Sequence, residues 1–101
     1  MNKVLSAVVF SLFMTGSAMA DLALATSKNC MSCHAVERKV LGPSFKDVAA
    51  KYKDNKDAVD MLATKIMKGG SGVWGPVPMP ANTQVSDADA KKLATWVLST
   101  K

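Results

Sequence analysis

Cys30-Met31-Ser32-Cys33-His34 brings together two thiols three residues apart and an imidazole directly behind the second. Thiols add across vinyl groups to give thioethers, and a neutral imidazole is a good iron ligand. This C-x-x-C-H spacing is the attachment signal of a c-type haem. On a helix, positions i, i+3 and i+4 share one face. Cys30 and Cys33 then reach the two vinyls of one porphyrin while His34 addresses its iron.

A second axial ligand must come from elsewhere, and His34 is the only histidine in the chain. From residue 21 onward the methionines are Met31, Met61, Met67 and Met79. Met31 lies between the two cysteines, on the attachment side. Met61 and Met67 fall in a helical pattern, where methionine is usually packing. Met79 sits in Gly75-Pro76-Val77-Pro78-Met79-Pro80, where prolines on both sides fix φ and restrict the loop. A thioether there is a soft ligand that favours reduced iron and raises the potential. Trp74 has one indole donor, suited either to a buried carboxylate such as a haem propionate or to plain core. The second nitrogen of His34 needs a carbonyl to fix its tautomer, and the Gly42-Pro43 turn is the candidate.

The elements that must position these groups are short. Met1-Asn2-Lys3, the apolar run Val4 to Met14, and Ala18-Met19-Ala20 form a secretory signal peptide, residues 1–20, with cleavage expected before Asp21. Its apolar run is too short to span a bilayer, which needs about 20 residues. Residues 21–101 are then one domain, small enough to need a staple, a metal or a cofactor. The two cysteines allow at most one disulfide, and a loop that tight adds little stability. Without Lys3, twelve basic residues face eight acidic ones, a net charge of +4. The basic residues are scattered, which argues against nucleic acid and for an acidic patch on a protein partner.

Apolar spacing predicts an all-α fold. Asp21 to Asn29 reads as a helix running into the cysteine motif. Ser44 caps a helix carrying Phe45, Val48, Ala49 and Tyr52 on one face. Asp57 to Lys68 repeats the pattern with Val59, Leu62, Ala63 and Ile66, and Gly69-Gly70 stops it. Ser71 to Val85 reads as ordered loop. Ser86 caps the last helix, whose stripe is Ala90, Leu93, Ala94 and Val97, with Trp96 beside it. No run alternates with period two, and no internal repeat is present.

Other chemistries fit less well. A thiol oxidoreductase places C-x-x-C near a βαβ pattern, which is missing. A structural zinc site needs four ligands. Gly69-Gly70-Ser71-Gly72 lacks the Gly-Lys-Ser/Thr ending of a phosphate loop. A haem enzyme or gas sensor wants distal acids, bases or donors, and the chain has no second histidine and no arginine near the Met79 loop.

The combination of Cys30 to His34, Val40-Leu41-Gly42-Pro43, Asp47 to Tyr52, Gly69 to Pro80 and Trp96-Val97-Leu98 resembles the small bacterial class I cytochromes c of the c-551 type. The resemblance covers essentially all of residues 21–101. It implies about four short helices wrapped around one covalent haem c. Cys30 and Cys33 would be the thioether donors, and His34 and Met79 the axial ligands. It further implies that the Pro43 carbonyl orients His34, that Trp74 bonds a propionate, and that Asn82 contacts the methionine side. The implied role is a soluble, monomeric one-electron carrier of the periplasm, not an enzyme. Its redox partners would be quinol–cytochrome c reductase-type donors in the membrane and terminal reductases, oxidases or peroxidases. Lys28, Lys39, Lys65 and Lys68 are the lysines expected near the exposed haem edge. Two positions depart from the pattern: Ala81 stands where many members have a second proline, and Ala25 where some have an aromatic.

Overall fold

The computed structural model describes residues 19–101. Most of the expected signal peptide, including its basic start and apolar run, lies outside the described residues. Within them no helix is long and apolar enough to cross a membrane.

The chain is helical over residues 19–27 (α1), then forms a 3-10 turn at Cys30–Ser32. Three further helices follow: α2 (Phe45–Tyr52), α3 (Ala58–Lys68) and α4 (Asp87–Leu98). α1 does not run into the cysteine motif as expected. Asn29 adopts the left-handed conformation, φ 67°, ψ 16°, and separates the two. Asparagine tolerates that region better than most residues, so it ends the helix there.

The caps follow the sequence. Ser44 Oγ accepts the Asp47 amide at 3.1 Å, and Ser86 Oγ accepts the Asp89 amide at 3.1 Å. Asp57, with φ −99° and ψ 13°, lies outside the helical region and makes no side-chain cap, so α3 starts one residue later than expected.

α4 is the central packing element and lies against both α2 and α3. Ala25 of α1 and Ala63 of α3 are buried with Ala90, Leu93 and Ala94, all small or medium residues that let helices approach closely. Phe45 and Val48 of α2 bury with Val97 on the neighbouring face. Leu62 and Ile66 of α3 were expected in this core, yet they remain only partly buried. Both line a cleft between the helices and the 70–80 segment.

A candidate haem cleft

The cleft encloses about 1280 Å³ of empty space, part of it open to solvent. Its walls are chiefly apolar, and Cys30, Cys33, His34, Pro43, Trp74 and Met79 all contribute to them. Six of the seven residues singled out from the sequence therefore meet at one place.

Cys30 and Cys33 are both free thiols, presented by the 3-10 turn rather than by an α-helix. In a 3-10 turn residues i and i+3 eclipse, so the spacing still puts both sulfurs on one side. The Cys33 and His34 amides both donate to the Cys30 carbonyl, at 3.3 and 3.1 Å, and fold the motif on itself. Burial pushes the Cys30 thiol up, opposed by a backbone hydrogen bond.

His34 is held on three sides. Its Nδ1 lies 2.8 Å from the Pro43 carbonyl, an acceptor, so in the neutral ring Nδ1 carries the proton and Nε2 keeps its lone pair. Phe45 stacks on the ring at 5.1 Å between centroids, and Trp96 meets Phe45 edge-on at 5.4 Å. Gly42 closes the third side, its amide donating to the Cys33 carbonyl at 2.7 Å. A Cβ on Gly42 would stand 2.5 Å from His34 Cε1 and 2.9 Å from Nδ1, inside contact distance. Gly42→Ala should therefore displace the imidazole and destabilise the holoprotein by about 1–3 kcal/mol. Denaturant titration checks the stability, and the ferric absorption spectrum checks the ligand. Gly42 read from sequence as part of a turn; the packing of its bare Cα against a ring has no signature in spacing.

Met79 is half-buried and held by more than its prolines. Gly70 and Met79 exchange backbone hydrogen bonds, at 3.0 and 2.8 Å, as an isolated antiparallel bridge. Gly69, with φ +74°, has the Met79 carbonyl and the Ala81 amide where a Cβ would go. The Gly69-Gly70 pair thus stops α3 and also seats the Met79 strap, a second role that the helix-stop reading did not contain.

Trp74 lines the cleft but is 42% exposed. The Lys51 ammonium sits 5.6 Å from its ring centroid and 5.8 Å from that of Tyr52, a cation–π arrangement at the cleft wall. Ala25, at the position where some c-551 types carry an aromatic, is fully buried and borders the cleft. Asn82 does not line the cleft. Its Nδ2 donates to the carbonyls of Ile66 at 2.8 Å and Pro80 at 3.5 Å. Of Lys28, Lys39, Lys65 and Lys68, Lys65 is the one in the cleft wall.

Two unpaired thiols, an imidazole with one nitrogen fixed and the other basic, and an anchored thioether share one apolar cleft. That donor set fits an all-α protein that carries iron in a covalently tethered porphyrin. The comparisons agree: residues 21–101 match the family model described as cytochrome c, and the chain belongs to that family. It is 57% identical over 91 residues to cytochrome c-552 of Nitrosomonas europaea, covering 90% of this chain and 88% of the relative. With cytochrome c-551 of Pseudomonas aeruginosa it shares 46% over 100 residues, covering 92% and 95%. The crystal structure of wild-type Nitrosomonas europaea cytochrome c552 superposes with a TM-score of 0.78 at 59% identity, covering 79% of this chain and 99% of that one. The fold is that of a class I cytochrome c, the cofactor is covalent haem c, and the role is one-electron transfer among redox partners.

Proposed function

We propose that this chain is a periplasmic monohaem carrier in which Cys30 and Cys33 tether the haem and His34 and Met79 close both axial positions of the iron. The observation that carries this reading is the His34 Nδ1 to Pro43 carbonyl bond, which in the neutral ring directs the Nε2 lone pair to ligation from the cleft wall. Haem supplies a reversible one-electron couple when bound. The protein's part is to hold its ligands still. Phe45, Gly42 and Pro43 fix the imidazole, and the Gly70 bridge fixes the thioether. With the same two ligands in both oxidation states, little has to reorganise during transfer, and no coordination position is left for a substrate.

The cleft rim supports brief encounters with partners. Leu41, Val73 and Val77 line the cleft yet keep half or more of their surface exposed. Lys65 adds a positive charge, and the excess of basic residues in 21–101 favours an acidic-rimmed partner. Quinol–cytochrome c reductase-type donors and terminal reductases, oxidases or peroxidases are partners of that kind. Periplasmic placement is supported by the signal-like composition of residues 1–20. Carbon monoxide titration of the ferrous holoprotein tests the carrier reading. No binding to the native protein is expected; rapid, tight binding would mean an open iron site and a gas-binding or enzymatic role.

A further inference from the structure

The segment after Met79 carries two side-chain amides whose hydrogen bonds form a continuous path. Gln84 Nε2 donates to the Lys28 carbonyl at 3.2 Å and to Asn82 Oδ1 at 3.3 Å, which uses both of its protons. The Lys28 ammonium returns a bond to the Gln84 carbonyl at 3.3 Å. Asn82 in turn uses Nδ2 and its own amide on the Ile66 carbonyl, at 2.8 and 3.2 Å, and Nδ2 also reaches the Pro80 carbonyl.

The acceptors are telling. Carbonyls in the last turn of a helix have no partner within it. Ile66 lies in the last turn of α3, which leads into Gly69-Gly70. Lys28 follows α1 and precedes the cysteine motif by two residues. The two amides therefore tie off the ends of two helices, and bond to each other between them. One helix end leads to the tethering cysteines, the other to the glycines that seat Met79.

We propose that Gln84 is a positioning residue: with Asn82 and Lys28 it clamps the Met79 strap to the cysteine segment and sets how readily the strap opens. As far as it concerns the iron, the inference rests on Met79 being the axial ligand. As far as it concerns the strap, it rests on the hydrogen bonds alone.

The test is Gln84→Met, a substitution of similar length without donors, in the holoprotein, with Thr83→Ala as a neighbouring surface control. Amide hydrogen exchange is read at Gly70 and Met79, the two donors of the strap bridge, and at Leu93 and Ala94 in α4. Losing two solvent-exposed hydrogen bonds should speed exchange at Gly70 and Met79 about fivefold, with α4 and the Thr83 control unchanged. In the ferric protein, the thioether-to-iron charge-transfer band should also disappear at a lower pH than in the wild type. Unchanged strap exchange overturns the inference, as does acceleration shared equally by α4, which would mean general destabilisation. If the strap amides alone accelerate while the wild type lacks the charge-transfer band, the clamp stands and the assignment of Met79 to the iron fails.

Discussion

Met79→Ala is expected to yield a protein that still carries covalent haem but whose reduction potential falls by on the order of 0.2 V, a fraction of the roughly 0.8 V that axial ligands command. In the proposed reading the attachment chemistry is that of Cys30 and Cys33, a separate segment of the cleft wall, so losing the thioether does not touch it. What is lost is a soft ligand that favours the reduced iron. The truncated strap still has its bridge to Gly70, because that bond is made by backbone. The fold should survive, and the thioether-to-iron band should vanish from the ferric spectrum. Potentiometric titration reads the shift directly. An unchanged potential would remove Met79 from the iron.

Replacing both cysteines, Cys30→Ala with Cys33→Ala, is expected to have the larger effect on folding. Leu62 and Ile66 belong to the apolar stripe of α3, and Tyr52 to that of α2, yet none is among the buried residues; all three face the cleft. Filling the cleft is what completes their burial, at about 1.5–3 kcal/mol for each large apolar side chain. Summed over such a lining, the contribution is comparable with the whole stability of a small domain, about 5–15 kcal/mol. The double variant should therefore lack cooperative thermal unfolding and lose its pigment to acid–acetone. The wild type exported from a host able to attach haem should keep its colour under the same extraction. A cooperative transition in the haem-free variant would contradict this account of the core.

The helices were legible in the sequence because their signals are local. Ser44 with Asp47 and Ser86 with Asp89 cap where expected, and the stripe Ala90, Leu93, Ala94 and Val97 is buried as its spacing requires. Asn29 shows a local signal that periodicity outweighed. Alanine-containing sequence up to residue 29 reads as helix, while one left-handed residue cuts it short. The incomplete burial of Leu62 and Ile66 could not be read from spacing, since a helical stripe looks the same whether its partner is another helix or a cofactor.

The candidate site was legible in its chemistry and not in its support. The types and order of Cys30, Cys33, His34 and Met79 single them out as the candidate ligands. Phe45 against His34, Gly42 beneath it, and Gly70 paired with Met79 are contacts between segments that no short motif records. The His34–Pro43 bond was anticipated because a ligating imidazole needs an acceptor, and a Gly-Pro turn nearby offers one. Asn82 fell outside the cleft because its amide is engaged at the end of α3. That engagement became visible only once the strap and the helix were brought together.

The proposed closure of the iron site depends on one particular methionine, Met79, facing the iron that His34 binds. It is tested most directly by proton–carbon NMR of the ferrous holoprotein labelled at the methionine methyl groups. In residues 21–101 these are Met31, Met61, Met67 and Met79. A methyl held over the porphyrin is driven far upfield by its ring current, so the account predicts one such signal, absent from Met79→Leu and unmoved by replacing any of the other three. A ferrous spectrum with no displaced methyl, or one whose displaced methyl belongs to Met31, Met61 or Met67, would contradict it.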